Sequence, residues 1–287
     1  MPITGTTRIV GIFGDPIAHS FSPQMHNAAL EAAGIDAVYV PFHVTAGQLR
    51  EAVAAIRSLD LIGVSLTIPH KEAACELVDE LDPVATLSGA INTIVRRDGR
   101  LVGCNTDGQG LLRAIHEDLG IGVQGKRVLI LGAGGAARAA VVALATAGAA
   151  WIGVANRTPE RARQLLAKLS PYFAGTAFAA YSLGGELPGQ LAGAVDLLIN
   201  STAVGLSGAA FPWSPAICVR PGGAVCDMVY GREPTPLVLA ARSAGLAAAD
   251  GLGMLAGQGE EAFRLWFDTP PSPGLMRATL ESLRNRE

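Results

Sequence analysis

A glycine fingerprint near the middle of the chain constrains the fold more than any other feature of the sequence. A run of branched apolar residues that ends at Leu131 precedes it and predicts a buried strand. Gly132, Gly134 and Ala137 follow with the spacing G-x-G-x-x-A, and an alanine-rich helical segment continues to Gly148. The first glycine permits a tight turn, the second lets the backbone approach a pyrophosphate, and the alanine lets helix and strand pack closely. Strand, fingerprint and helix in this order indicate a dinucleotide-binding unit; the alternative is a close-packed turn that binds nothing.

The segment after the next strand distinguishes between the two nicotinamide dinucleotides. A cofactor with a free ribose 2′-hydroxyl usually meets an acidic residue about 20 residues beyond the glycines. This chain has Asn156, Arg157 and Thr158 there, and Arg161 follows. Guanidinium groups suit a 2′-phosphate, which they hold by bidentate hydrogen bonds. The segment therefore predicts NADP rather than NAD, and Thr158 with Pro159 also has the features of an ordinary helix start.

Composition argues against several classes of function. The 287 residues include 22 Lys and Arg against 25 Asp and Glu, and this balance gives no support for nucleic acid or an anionic membrane surface as a partner. No apolar stretch approaches the roughly 20 residues that span a bilayer, and no signal peptide is evident. Neither the five histidines nor the four cysteines have metal-ligand spacing. We expect a cytoplasmic protein, monomer or homodimer, with reduced cysteines and no metal.

The first hundred residues predict a mixed sheet with helices between its strands. Ser22 has the character of an N-cap, with Pro23 as the first helical residue. Pro41 assigns the second strand to an edge or a bulge. Asp98-Gly99 between two apolar runs is a strong hairpin signal. The predicted strands are residues 8–14, 38–43, 61–68, 91–97 and 101–104, and the predicted helices are residues 23–34, 46–59 and 69–81.

The second half predicts a helical crossover from Asn105 to Leu119 and then the dinucleotide unit. Further buried strands are expected at residues 195–200, 224–227 and 246–250, and the ambiguous segment 170–190 holds one more at 176–181. Helices are expected from Pro234 to Ala244, after Gly251, and over residues 275–283.

Several separated motifs resemble the shikimate dehydrogenases, with agreement in order and spacing from near residue 8 to near residue 268. One departure is Ser65, where many members carry Asn. The matching segments are residues 14–23 (GDPIAHSFSP), 64–72 (VSLTIPHKE), 89–93 (GAINT), 105–108 (NTDG), 132–138 (GAGGAAR), 156–158 (NRT), 227–230 (DMVY) and 250–255 (DGLGML).

The resemblance implies an α/β enzyme of two domains that interconverts 3-dehydroshikimate and shikimate by hydride transfer with NADP, in the route to aromatic amino acids. Residues 1–107 and 252–287 would form a substrate-binding and catalytic domain with a mixed sheet. Residues 108–251 would form a doubly wound NADP domain of the Rossmann type, after which the C-terminal helices return to the substrate domain.

The resemblance also implies a role for particular residues. Lys71 and Asp107 would form the catalytic pair. Residues carrying hydroxyl or amide groups would hold the substrate's carboxylate and hydroxyls: Ser20, Ser22, Thr67, Asn92, Tyr230 and Gln258. The cofactor would be held by the fingerprint, by the segment after the next strand and by three residues near the nicotinamide: Gly132, Ala133, Gly134, Gly135, Ala136, Asn156, Arg157, Thr158, Arg161, Thr202, Val229 and Gly253.

Three alternatives stay open at this point. A paralogue of the same fold could act on quinate or an amino-shikimate, and the sequence does not decide between shikimate and quinate. A non-catalytic ligand sensor could retain the fold, although Lys71 and Asp107 are both present. Taken singly, Ser20 and Ser22 also suit a turn and a helix cap, and Lys71 a surface position.

Overall fold

The computed structural model describes residues 3–184 and 189–285. The chain divides into two compact units, Met1–Gly110 with Leu255–Glu287 and Leu111–Met254. Each unit is built on one six-stranded sheet with helices, which confirms the α/β class. Among the described residues, no helix combines the length and the apolar character that crossing a membrane requires.

The sheet of the first unit is mixed, as predicted. Its strands lie in the order β2-β1-β3-β5-β6-β4. The β1, β2 and β3 strands are parallel, whereas β5 is antiparallel to both β3 and β6. Pro41 lies in β2 at the sheet edge, where its missing N–H breaks no ladder. The strands are β1 (Arg8–Gly14), β2 (Ala37–His43), β3 (Gly63–Leu66), β4 (Glu80–Leu81), β5 (Thr93–Arg97) and β6 (Arg100–Cys104).

Helices connect these strands and cover the sheet. Side chains of the second helix pack on the sheet through Leu49, Val53 and Ile56, three or four positions apart on one helical face. The helices of this part of the chain are α1 (Ser22–Ala32), α2 (Leu49–Ser58) and α3 (Pro83–Ser88).

The second unit contains the doubly wound sheet. Its strands are all parallel and lie in the order β12-β11-β10-β7-β8-β9, with the strand before the glycine fingerprint, β7, beside β10 where the winding reverses. The strands are β7 (Arg127–Leu131), β8 (Trp151–Asn156), β9 (Ala177–Ser182), β10 (Val195–Asn200), β11 (Val219–Asp227) and β12 (Ala247–Ala249). The helices are α4 (Asp107–Leu119), α5 (Gly135–Thr146), α6 (Pro159–Leu169) and α7 (Pro236–Ser243).

Two further helices complete the chain, α8 (Leu252–Phe267) and α9 (Leu275–Arg284). The boundaries between the units fall inside α4 and α8. Within the first unit α9 packs on α1, and Trp266 of α8 donates its indole N–H to the carbonyl oxygen of Ile94 at 3.0 Å. The Trp266 contact fixes α8 on the sheet that carries the residues around Asn92.

The helix predicted over residues 69–81 is wrong. The structure has only a short 3₁₀ turn, Ala73–Glu76, and then β4. Tertiary hydrogen bonds account for the difference, because the amide of Asp79 donates to Leu101 and the amide of Asp82 donates to Gly103. These bonds recruit the segment into the sheet, which a helix would prevent.

Two local predictions near the helices also need correction. Ser22 is the first residue of α1 rather than its N-cap; Phe21 is the N-cap, and no side chain caps this end. The helix α3, which begins after Asp82, was not predicted. The carboxylate of Asp82 accepts the Ala85 amide at 2.6 Å and Pro83 follows as the first helical residue, so this short helix has a regular N-terminus.

His26 of α1 is fully buried in a layer of rings. Its imidazole stacks on Tyr39 with ring centroids 4.3 Å apart, and Trp266 lies 5.4 Å away. Neither ring nitrogen of His26 has a hydrogen-bond partner among the residues that the structure describes. Burial without a partner disfavours the charged form and lowers the pKa of His26 to about 3.

We expect His26 to make the protein sensitive to acid. Below its ordinary pKa of 6.5 the unfolded chain binds a proton at His26 that the folded protein does not bind, so this contribution to stability is lost as the pH falls. Between pH 6.5 and pH 5 the wild type should lose about 2 kcal/mol more unfolding free energy than His26→Gln. Denaturant titrations at both pH values measure this. His116→Gln at an exposed position is the control, and equal losses in wild type and His26→Gln would contradict the prediction.

Candidate functional site

The first unit contains a paired lysine and aspartate. Asp107 is the first residue of α4, where the unpaired N–H groups of a helix start favour a carboxylate. Lys71 lies in the loop after β3, and its Nζ donates to Oδ2 of Asp107 at 2.5 Å. The side chains of Lys71 and Asp107 are 18% and 5% exposed, so the carboxylate is buried and the lysine side chain is mostly buried. The amide of Ile91 donates to the Lys71 carbonyl at 2.8 Å, which fixes the loop beside β5.

Asn92 is the hub of a hydrogen-bond network around this pair. Its Nδ2 lies 2.8 Å from Thr106 Oγ1, 2.9 Å from Asp107 Oδ1 and 3.2 Å from Gln258 Oε1. Its Oδ1 accepts the Thr106 amide at 2.8 Å and the Thr93 hydroxyl at 3.1 Å. Since an amide nitrogen has two hydrogens, three acceptors exceed its capacity. The longest contact, to Gln258, is therefore the one that a ligand hydroxyl can most easily replace.

Two positioning residues in this network received no role from the sequence. Asn105 accepts the Asp107 amide at 3.1 Å through its Oδ1 and donates to the Ala90 carbonyl at 2.8 Å. Thr106 exchanges two hydrogen bonds with Asn92. The run Asn105-Thr106-Asp107 before a helix was the available signal, because such side chains commonly cap helix starts. Their partners, Ala90 and Asn92, lie in the loop before β5 and could not be predicted from the spacing.

The remaining substrate candidates of the first unit lie near the carboxyl ends of its parallel strands. Ser20 and Ser22 follow β1, and the hydroxyl of Ser20 accepts the Ser22 amide at 3.3 Å. Thr67 follows β3 and packs against Gly14, where any β-carbon would collide with its methyl group. The Asp15 amide donates to the Ile68 carbonyl at 3.0 Å, which joins the two loops.

The glycine fingerprint in the second unit has the geometry that a pyrophosphate requires. Gly132 has φ of 105°, and a β-carbon there would lie 2.7 Å from Ser201 Oγ. Gly134 is the N-cap of α5 with no side chain to cap it, and no atom lies within 4 Å of its β-carbon position. Gly135 and Ala136 follow half-buried in the first turn, and Ala133 is buried beside β7. Free amides at a helix start with open space before them fit an anion.

The loop between β8 and α6 also fits the predicted 2′-phosphate. Asn156 ends β8, and its Nδ2 donates to the Thr158 carbonyl at 2.9 Å, which closes the turn. Thr158 is the N-cap of α6 but makes no side-chain cap, so its hydroxyl is not committed to the helix. Arg157 is exposed in the turn, and Arg161 lies on the first turn of α6. Two guanidinium-bearing residues thus share one helix start.

The other predicted residues belong to the second unit as well. Thr202 follows β10, whereas Val229 and Tyr230 follow β11. Gly253 lies in the first turn of α8, where any β-carbon would collide with the Asp118 carboxylate. Asn200, for which no role was predicted, accepts hydrogen bonds from both the amide and the hydroxyl of Thr202 through its Oδ1.

Among the residues that the structure describes, no group of three or more His, Cys, Asp and Glu side chains could hold a metal ion. The arrangement instead offers a proton donor in Lys71, a carboxylate that orients it and an amide hub in the first unit. The second unit offers an anion site at a helix start. These groups suit proton transfer and the binding of a phosphate-rich dinucleotide.

Comparisons with known proteins agree with this chemistry. Residues 12–94 match the family model for the shikimate dehydrogenase substrate binding domain, and residues 114–204 match that for shikimate / quinate 5-dehydrogenase. Residues 251–281 match the shikimate 5′-dehydrogenase C-terminal domain.

Individual relatives cover nearly the whole chain. Shikimate dehydrogenase (NADP(+)) from Geobacter sulfurreducens is 48% identical over 98% of this chain and 98% of its own length. The structure of shikimate 5-dehydrogenase from Thermus thermophilus with NADP(H) and shikimate is similar with a TM-score of 0.84, at 37% identity over 96% of this chain and 99% of that one. A ligand-free 5-ketofructose reductase from Gluconobacter is similar with a TM-score of 0.85, at 33% identity over 98% and 100%.

The two fingerprint glycines should respond differently to a methyl group. We expect Gly132→Ala to cost about 1–3 kcal/mol, because φ of 105° strains an L side chain and Ser201 Oγ is too close. Gly134→Ala should stay within about 0.5 kcal/mol of the wild type, because φ is −89° and the space is open. Thermal unfolding of both variants measures the difference. Equal melting temperatures would contradict the geometry assigned to Gly132.

Proposed function

The chain belongs to the shikimate dehydrogenase family, and on that premise we propose that it interconverts 3-dehydroshikimate and shikimate with NADP(H). The observation that carries the proposal is the Lys71–Asp107 pair, with Nζ and Oδ2 2.5 Å apart and the carboxylate buried. Reduction of a ketone by hydride leaves an alkoxide that needs a proton, and oxidation needs the reverse. An ammonium that a buried carboxylate orients meets this need.

The two units divide the work in this proposal. Met1–Gly110 with Leu255–Glu287 binds the substrate, and Leu111–Met254 binds the cofactor. The enzyme acts in aromatic amino-acid biosynthesis, as a monomer or homodimer. Its four cysteines are all free, which supports a reducing cytoplasm as its location.

Lys71 acts as the acid in reduction and as the base in oxidation. It donates a proton from Nζ to the developing alkoxide oxygen and takes the proton back in the reverse direction. Asp107 holds Nζ through Oδ2, while Asn92 holds Oδ1 of the same carboxylate at 2.9 Å, so the carboxylate cannot rotate freely. When bound, NADP(H) supplies or accepts the hydride.

Polar side chains of the first unit bind the cyclic substrate. We assign its carboxylate to Ser20 and Ser22, and its hydroxyls to Thr67, Asn92 and Gln258. A buried hydroxyl of the ligand left without a partner costs about 1–3 kcal/mol, so convergent amides and hydroxyls select a polyol acid. Tyr230 of the second unit is assigned to the same ligand.

The cofactor is assigned to the second unit by the fit of its anion sites. The amides of Gly134, Gly135 and Ala136 at the start of α5 would hold the pyrophosphate. Arg157 and Arg161, with the polar groups of Asn156 and Thr158, would hold the 2′-phosphate. We assign the nicotinamide to the residues after β10 and β11 and at the start of α8: Thr202, Val229 and Gly253. The relatives named shikimate dehydrogenase (NADP(+)) support this cofactor.

One assay tests the proposal directly. Purified protein should reduce NADP+ with shikimate, with a specificity constant well above that for quinate. Because the chain is also similar to a 5-ketofructose reductase, the assay includes a third substrate, 5-ketofructose, with which NADPH oxidation is measured. A higher kcat/KM with quinate or 5-ketofructose than with shikimate would overturn the substrate assignment.

Removal of the proton donor should affect turnover more than binding. Lys71→Ala should lower kcat by about 100-fold or more, the usual effect of general acid–base catalysis, with little change in the shikimate KM. Asp107→Asn should also lower kcat, because the ammonium loses its charged acceptor. Steady-state kinetics across pH should show that one limb of the kcat profile disappears or shifts in Lys71→Ala. Lys168→Ala, at an exposed lysine of α6, is the control, and a near-normal kcat in Lys71→Ala would exclude Lys71 as the donor.

Removal of a guanidinium should affect one cofactor only. Arg157→Ala should raise the NADP+ KM about tenfold or more, since a hydrogen bond to a charged group contributes roughly 1.5–3 kcal/mol. The kinetics with NAD+ should change little because NAD+ has no 2′-phosphate. Arg163→Ala is the matched control, as Arg163 is exposed on α6 and pairs with Glu160 at 2.7 Å. Equal efficiency of NAD+ and NADP+ in the unmutated protein would contradict the assignment.

A further inference from the structure

Two buried polar side chains lie together at the carboxyl edge of the second sheet. Asn200 ends β10 and Asp227 ends β11, and the parallel register of the strands pairs the two residues. Both residues are completely buried. Nδ2 of Asn200 donates to Oδ1 of Asp227 at 2.8 Å.

Asn200 organises the loop that follows its strand. Its Nδ2 also donates to the Val204 carbonyl at 3.0 Å, and its Oδ1 accepts the amide and the hydroxyl of Thr202 at 3.0 and 2.7 Å. The Thr202 hydroxyl oxygen in turn accepts the Val204 amide at 3.1 Å. Both hydrogens of the Asn200 amide are therefore used, and the position of Thr202 follows from that of Asn200.

Asp227 joins this loop to two other segments. Its Oδ1 accepts the Val229 amide at 3.0 Å as well as the Asn200 side chain, and its Oδ2 accepts the Thr235 hydroxyl at 2.6 Å. Thr235 is the N-cap of α7 and accepts the Val238 amide at 3.3 Å. One carboxylate thus ties together the loop after β10, the loop after β11 and the start of α7.

Keeping an ionised carboxylate buried in this position costs free energy. Burial raises the pKa of Asp227 to about 6, with a smaller contribution from nearby Asp250, although the hydrogen bonds from Thr235, Val229 and Asn200 lower it. Three donors converge on two oxygens, so the ionised form matches the site and a neutral amide would place its own N–H groups against donors. A residue needed only for packing would not require this charge.

We propose that Asp227 is a positioning residue for the cofactor, which sets Thr202 and Val229 at the nicotinamide end of the site through Asn200 and Thr235. The inference rests on the proposed function, which assigns Thr202 and Val229 to the nicotinamide. It adds that their placement depends on one buried carboxylate that touches neither cofactor nor substrate. Loss of the carboxylate should therefore weaken the nicotinamide half of the site and spare the 2′-phosphate half.

The test compares a whole cofactor with a fragment of it. In Asp227→Asn, the NADP+ Kd and KM should rise about tenfold or more, because donors face donors at the former carboxylate. The Kd for 2′,5′-ADP, which carries the 2′-phosphate but no nicotinamide, should stay within about twofold of the wild-type value. Calorimetry on the full chain measures both Kd values.

Asp196→Asn provides the matched control. Asp196 is a buried carboxylate at the other end of β10, where it accepts the Arg127 amide at 2.8 Å and pairs with Arg220. Its replacement should lower the melting temperature and leave both Kd values unchanged. Equal weakening of both ligands by Asp227→Asn, or the same effect from Asp196→Asn, would show a general loss of structure and overturn the inference.

Thr235 supplies a second, milder pair of variants, which decides the matter if Asp227→Asn does not fold. Thr235→Val removes the hydroxyl donor and should raise the NADP+ Kd about threefold or more, whereas Thr235→Ser should restore it because the hydroxyl returns. A wild-type NADP+ Kd in Thr235→Val would overturn this inference and leave the proposed function standing. A wild-type protein that bound 2′,5′-ADP and NADP+ no better than NAD+ would overturn the proposed function and the inference with it.

Discussion

The buried carboxylate of Asp107 is the group on which the rest of the candidate catalytic site depends. It holds the ammonium of Lys71 on one oxygen and the amide of Asn92 on the other, and the Asn105 side chain holds its backbone amide. A carboxylate with both oxygens engaged keeps one orientation, so it fixes the direction of the Lys71 ammonium as well as attracting its charge. The start of α4 supplies the position and favours the negative charge. Removal of any one of these contacts would leave a buried charge without a full set of partners.

The second unit applies the same principle to a different task. Parallel strands bring their carboxyl ends to one edge, where Asn200 and Asp227 become neighbours by register. The chain at that edge consists of loops, and loops lack the backbone hydrogen bonds that hold strands in place. Buried side chains replace the missing ladder: Asp227 accepts the Val229 amide, the Asn200 side-chain amide and the Thr235 hydroxyl, and so joins three segments. Both units therefore use a buried carboxylate to give a loop-borne site a defined geometry.

Local sequence signals failed where long-range pairing competed with them. Residues 69–81 have a proline start and helical spacing, yet the sheet takes their end into β4 through bonds to Leu101 and Gly103. Ser22 lies one residue inside α1, because the carbonyl oxygen of Phe21, the N-cap, accepts the Met25 amide. In contrast, the Asp98-Gly99 hairpin and the edge position of Pro41 came out as predicted, because turn geometry and a missing N–H act locally.

The sequence by itself determined the α/β class, the glycine turn before α5, the arginines after β8 and the family. These depend on residue type and spacing within one short segment, where φ preferences, periodicity and charge decide the outcome. Only the tertiary structure decided which polar groups meet. Asn92 and Gln258 are 166 positions apart, and Asn200 and Asp227 are 27 apart, yet each pair shares a hydrogen bond. Strand order and register create such contacts, and no local pattern contains them, because a side chain's partner depends on the whole chain being packed.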